Sequence, residues 1–285
     1  LDYDGSMITS ILPPAPVKAD LRAAQLKASE DPRKKFTIAQ AIVRAKIARS
    51  LQVLDWLAQR YDIEKQVRLP RHEALKLGRA RSVVDLRTVE GRVALRYWQA
   101  YSSVLPESLD FQGRMTSSHQ NNASDPVNLA LNYAYGVLEG ECRRAINAVG
   151  LEPSVGFLHE SSGYQTKQSL VYDLEEPFRW IADVVVMDAV ESGVLDLQDF
   201  YFMGDDYRYH FEVEAKSRFL ELLKDRFNST VQYNGKAWQW NTSNLNKAQA
   251  VGRFLLGESK SLDCTKPVPS LERCDNLDMR RRIVG

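Results

Sequence analysis

An imidazole and several carboxylates fall close together in the stretch GFLHESSGYQTKQSLVYDLEEPFRW, from Gly156 to Trp180. An apolar run ends at His159, polar residues follow, and a second apolar run leads to Asp173, Glu175 and Glu176 before Pro177. Packing alone does not demand that order, whereas a cation site would use both residue types. A further acid stands upstream. In SVVDLRTVEGRVALRYWQAY, residues Val83, Leu86, Glu90, Val93, Tyr97 and Tyr101 recur at steps of three and four. That spacing lays them along one helix face. Glu90 falls mid-stripe, where a carboxylate is costly unless something pairs with it or binds it. Structural roles stay open for each group. Glu90 suits a buried Glu–Arg pair, His159 a hydrogen-bonded loop residue, and the acids before Pro177 a helix N-terminus. Spacing does not show that the groups meet in space.

The elements that would position them are mostly helical. The pattern from Val17 to about Arg60 is helical, with Ile38, Ile42, Ala45 and Ala48/Arg49 in phase and a break at Asp31-Pro32. A second helix is expected from about Ser82 to Val104. A third opens at Asp125-Pro126 and stops at Gly150 after Val149. Others are expected at about 177–190, 211–227 and 243–257. SLVY, ahead of Asp173, reads as a short strand or extended piece, and 112–124 as a polar surface loop. Trp238 and Trp240 sit in a turn-rich segment. In front, LDYDGSMITSIL reads as a hairpin around Asp4-Gly5 and Pro13 to Pro16 as a linker. The expected fold class is mainly α, a helical catalytic domain preceded by a remnant of a small β-domain. The expected divisions are 1–16 hairpin and linker, 17–257 catalytic domain, and 258–285 tail.

With 285 residues, 44% of them hydrophobic, the chain can form one large domain or a large and a small one. The net charge of +1 says nothing about partners, but its distribution does. From Lys18 to Arg49 nine basic residues face three acidic ones, and from Arg60 to Arg96 ten face five. From Asp173 to Asp225 fourteen acids face five bases. A basic first half suits a polyanion, and the acidic stretch suits a cation. Cys142, Cys264 and Cys274 show no C-x-x-C spacing and read as reduced thiols. No apolar run approaches the ~20 residues of a membrane span, and no signal peptide is read. A cytoplasmic protein is expected. The start without Met, inside half a hairpin, suggests a fragment or one part of a fusion.

Three blocks then carry a resemblance: VEGRVALRYW, DPVNLALNYAYGVLEGECRRAINAVGLEPSVGFLHE, and KQSLVYDLEEPFRWIAD. They resemble the signature blocks of the CRISPR-associated integrase/endonuclease family of spacer acquisition, the universal adaptation nuclease. The similarity runs from Leu1 to Phe227. It implies that Glu90, His159 and Glu176 bind a divalent cation and carry catalysis, with Asp173 in support. It implies that Arg179 positions the acids or touches a phosphate, and that Asn128, Tyr133 and Tyr135 are architectural. The family usually has arginine five residues after the E-G glutamate. Here that residue is Leu95, with Arg96 beside it as a candidate substitute. Two carboxylates and one imidazole suit Mg²⁺ or Mn²⁺ better than zinc.

The implied reaction is transesterification, in which the 3′-hydroxyl of spacer DNA attacks a phosphodiester in a CRISPR array. The implied partners are double-stranded DNA (spacer precursor and CRISPR repeat), a second copy in a homodimer, and a small ferredoxin-like adaptation protein. A fused or associated reverse transcriptase is a further one. Arg33, Lys34, Lys35, Arg44, Lys46, Arg49, Arg79 and Arg81 are candidates for gripping the DNA backbone. Two other readings remain at this stage: a casposon-type transposon integrase, and a non-enzymatic helical DNA-binding scaffold.

Overall fold

Aspartate and proline punctuate the helices that carry the site. The computed structural model describes residues 18–114, 123, 125–159, 168–204, 208–233 and 236–265. The hairpin expected at the start, most of the loop expected at 112–124, Cys274 and the end of the tail lie outside them. Helix α1, Ala19–Glu30, ends at Asp31, whose carboxylate accepts from the N–H groups of Arg33 (2.8 Å) and Lys34 (3.2 Å). Asp31 thereby caps α2, Pro32–Ala58, with Pro32 in its first turn, where a missing N–H leaves nothing unsatisfied. Helix α3, Glu64–Ala74, precedes α4, Val83–Ser102, which starts in a reciprocal capping box of Ser82 and Asp85. Helix α5, Pro126–Val149, is capped by Asp125 and closed by Gly150, whose φ of 88° is left-handed.

The remaining elements build the acidic side. Helix α6, Ser169–Glu175, runs through a 3₁₀ turn, Glu176–Phe178, into α7, Arg179–Glu191. Helix α7 buries every residue from Trp180 to Met187, so it is an interior helix rather than an amphipathic one. Helix α2 packs on α4, α7 and the 3₁₀ turn, while α5 packs on α6, α7 and α9, Trp240–Leu255. Strands β1, Phe200–Met203, and β2, Arg208–Phe211, pair antiparallel ahead of α8, Val213–Asn228. Strands β3, Thr230–Tyr233, and β4, Lys236–Gln239, pair likewise and lead into α9. The described fold is mainly α, with β structure confined to two short hairpins. Among the described residues no helix is long and apolar enough to cross a membrane.

Two local expectations change. SLVY is the first turn of α6, not a strand. Its four residues are too few to tell a period of 2 from 3.6, and Ser169, Leu170, Val171 and Leu174 are all buried. As a result Asp173 and Glu175 lie inside α6, not at the N-terminus of the helix that follows. The segment with Trp238 and Trp240 is β4 and the start of α9.

Candidate functional site

The stripe on α4 is real: Leu86, Val93, Tyr97 and Tyr101 are buried, and Glu90 lies half-buried among them. Its partner is a lysine rather than an arginine. Lys46, one of the residues expected to grip DNA, instead turns inward from α2. Its Nζ contacts Glu90 Oε1 and lies 2.6 Å from Glu176 Oε2. Glu176 is contributed by the 3₁₀ turn and is only 4% exposed. Burial would raise its carboxyl, but Arg179 and Lys46 override burial and bring it down to about 2. Burial would also lower the Lys46 ammonium, and the two glutamates reverse that shift.

His159 reaches the cluster from the loop after α5, with Nε2 3.8 Å from Glu176 Oε1. Asp173 fixes that loop. Its Oδ2 accepts from the N–H groups of Phe157 (2.5 Å) and Leu158 (3.0 Å), and its Oδ1 from that of His159 (2.9 Å). The same Oδ1 lies 2.8 Å from His159 Nδ1. With Nδ1 held by this carboxylate, the other ring nitrogen, Nε2, is the one that faces Glu176. Arg87, which sequence reasoning missed, binds the loop to α4 by donating through Nε (2.8 Å) and Nη2 to the Leu158 carbonyl. Its signal was available, since it precedes Glu90 by three residues on the same helix.

The loop passes α6 so closely that Gly156 is required there. A Cβ on it would meet Ser169 Cβ at 2.7 Å, the Ser169 carbonyl carbon at 2.9 Å and Asp173 Oδ2 at 3.0 Å. Backbone cannot yield as a flexible side chain can. Gly156→Ala is therefore expected to destabilise the chain by about 1–3 kcal/mol, seen as a lower melting temperature. An unchanged melting temperature would show that the loop and α6 can separate freely.

Arg179 stands behind the acids, with Nε 3.2 Å from Glu175 Oε1 and 3.6 Å from Glu176 Oε1. Burial raises the Glu175 carboxyl to about 7, with Arg179 opposing. The Arg179 guanidinium also lies 4.8 Å from the centre of the Tyr135 ring, and Arg114 lies 5.1 Å from it. Tyr135 in turn donates its O–H to Asp183 Oδ1 at 2.6 Å, and Tyr97 donates to Oδ2 at 2.7 Å. Asn128 serves architecture, accepting from Arg114 Nη1 (2.8 Å) and donating to Asp125 Oδ2 (2.6 Å).

The other sequence candidates stay apart from this cluster. Arg96 donates to Gln99 Oε1 on an exposed surface (2.9 Å), and Leu95 is exposed. Six residues on from Glu90, Arg96 is rotated by about 240° around α4, away from the stripe. Arg49 is buried and structural: it bonds Gln52 Oε1 (2.6 Å) and, at 2.5 Å, the Thr265 carbonyl. Its place in phase with Ile38, Ile42 and Ala45 is the sign of that role. Arg33, Lys34, Arg44, Arg79 and Arg81 are exposed, and Lys35 is half-buried.

Among the described residues no three His, Cys, Asp or Glu side chains stand at ready-made metal-ligand geometry. The Lys46 ammonium occupies the space between Glu90 and Glu176. What the arrangement can do chemically is hold positive charge. The buried Glu176 Oε2 has no partner at good hydrogen-bond angles, and its near neighbour is that ammonium.

Fold and cluster together define an α-helical protein in which a buried carboxylate, Glu176, is flanked by a partly buried one, Glu90, and by a partly exposed imidazole, His159. A family model described as CRISPR associated protein Cas1 matches residues 1–225, and the chain belongs to that family. It is 34% identical over 244 residues to the CRISPR-associated endonuclease Cas1 3 of Thermus thermophilus, covering 84% of this chain and 69% of that one. A solved casposase bound to integration product is 34% identical with a TM-score of 0.87, covering 100% of this chain and 78% of that one. A chain in a Cas6-RT-Cas1–Cas2 complex shares the fold, with a TM-score of 0.78 at 19% identity, over 91% of this chain and 28% of that one.

Proposed function

We propose that this chain is a metal-dependent DNA endonuclease and integrase that joins spacer DNA to a CRISPR array. The observation that carries the reading is the meeting of Glu90 and Glu176 at the Lys46 ammonium, with His159 Nε2 3.8 Å from the other oxygen of Glu176. Two carboxylates already facing a cation, with an imidazole beside one of them, form a donor set that fits Mg²⁺ or Mn²⁺, which Glu90, His159 and Glu176 would hold. When bound, the cation would supply Lewis acidity for charge developing at the attacked phosphate. The chain's own residues do the rest. Asp173 orients His159, and Arg179 keeps Glu176 ionised. The exposed Arg33, Lys34, Arg44, Arg79 and Arg81 hold the DNA backbone. In the joining step a 3′-hydroxyl oxygen loses its proton and bonds to the target phosphorus, the target's own P–O3′ bond breaks, and the freed 3′-oxygen takes up a proton. One phosphodiester is lost and one formed, so no outside energy source is needed.

The catalytic part is read as residues 17–257, working in the cytoplasm as a homodimer with a small ferredoxin-like adaptation partner. The fold shared with a chain of a reverse-transcriptase complex keeps such an enzyme among the proposed partners. The similarity to a casposase bound to integration product favours one second reading, an integrase acting on the ends of its own element. Substrate choice separates the two.

The test is joining of a labelled duplex to supercoiled plasmid carrying a CRISPR repeat, with Mn²⁺, Mg²⁺ or EDTA. Joining should require the metal and fall at least about 100-fold in His159→Ala. Joining that survives EDTA, or survives the substitution, would sink the site assignment. Joining only of transposon-type ends would favour the casposase reading. Tight DNA binding without a stoichiometric Mn²⁺ site would instead indicate a scaffold.

A further inference from the structure

Lys46 sits where the proposed function needs a different cation. Its Nζ touches Glu90 on α4 and Glu176 on the 3₁₀ turn, and its side chain is 17% exposed. Arg179 reaches Glu176 at its other oxygen, Oε1, paired also with Glu175 and stacked on Tyr135. Among the described residues, Lys46 is thus the cation that draws the α4 acid and the 3₁₀ acid to one point. Without it two carboxylates converge in a half-buried place with no charge between them, which favours splaying or protonation. An ammonium and a divalent cation cannot share that point, because at about 3 Å their repulsion exceeds thermal energy even when well screened. A lysine can also leave. Its charge is compact, its four-carbon stem rotates, and its side chain keeps 17% of its surface in contact with solvent.

We infer that Lys46 is a resident cation: it preassembles Glu90 and Glu176 and gives up its place when the divalent ion binds. The inference rests on the metal-dependent reading above and adds a residue that sets metal affinity from within the chain. Lys46 is a positioning residue here. A purely structural ion pair would predict only lost stability on its removal, whereas a resident cation predicts tighter metal binding as well.

The test uses the whole chain and Mn²⁺ alone, measured by titration calorimetry and by the spin-resonance signal of free Mn²⁺. Lys46→Met should bind Mn²⁺ at least about tenfold more tightly than the wild type. It should melt lower without metal and gain more from Mn²⁺. Lys46→Arg, whose planar fork holds both carboxylates, should keep the metal-free melting temperature and bind Mn²⁺ more weakly. A second measurement needs no variant. Acetylation of Lys46 in the wild type, read by mass spectrometry, should rise several-fold when Mn²⁺ is added. Equal or weaker Mn²⁺ binding by Lys46→Met would overturn the inference while leaving the metal reading intact. If that variant fails to fold, labelling of Lys46 that ignores Mn²⁺ would do the same. Absence of Mn²⁺ binding by wild type and both variants would overturn the metal reading and this inference together.

Discussion

Glu176→Gln should fold and yet lose strand transfer by roughly 10³-fold or more. Of the acids that face Lys46, Glu176 is the more deeply buried, and it is the one in reach of His159 Nε2 as well. Arg179 and Lys46 hold its carboxyl low, at about 2, so it is ionised at neutral pH. Glutamine keeps the shape and removes the charge. Stabilisation of charge at a reacting phosphate is worth several kcal/mol, and about 1.4 kcal/mol is a factor of ten, which sets the expected loss. Single-turnover joining of a labelled duplex measures it, beside a melting curve to show that the variant is folded. Full activity would mean that Glu176 is no part of the centre. The same carboxyl also ties stability to pH. Because its folded value lies below the ordinary carboxylate value, its contribution is complete above about pH 4.5 and is lost as pH falls toward 2.

The helices were legible wherever punctuation and period agreed. Asp31-Pro32, Asp125-Pro126 and Gly150 mark helix ends that the structure reproduces, because capping is decided by a few neighbouring residues. The α4 stripe was equally legible, since burial at a 3.6-residue period is local. Failures came where distance in sequence hides nearness in space. Lys46 and Arg49 looked like two more members of a basic surface, yet α2 turns one to the acids and the other to the Thr265 carbonyl. Asp173 is fully buried because it bonds three successive N–H groups of a loop some fifteen residues earlier. No spacing within α6 reports that. SLVY failed for a related reason: β-branched and apolar residues favour strands on average, and burial of the turn decided otherwise.

Asp183→Ala is expected to lower the melting temperature by about 10 °C. Asp183 lies at 3% exposure within α7, and its carboxylate receives both Tyr97 and Tyr135, while Tyr101 donates to its backbone carbonyl at 2.8 Å. Alanine leaves the first two hydroxyls buried without an acceptor, at about 1–3 kcal/mol each. It also leaves a small cavity, for a total near 4 kcal/mol. At about 2–4 °C per kcal/mol for a chain of this size, the shift follows. The amide oxygen introduced by Asp183→Asn would still accept one phenol, so that variant should lose roughly half as much. The two variants also separate charge from packing. Burial raises the Asp183 carboxyl to about 6 against the pull of its phenol donors. Its folded value lies above the unfolded one, so its contribution is greatest below about pH 4 and declines as pH rises to about 6. Asparagine cannot titrate, so the deficit of Asp183→Asn relative to wild type should be larger at pH 4 than at pH 7. A deficit independent of pH would mean that Asp183 is ionised throughout. The tyrosines would then be answering a permanent charge, and the stack of Tyr135 under Arg179 would owe its place to that charge rather than to packing.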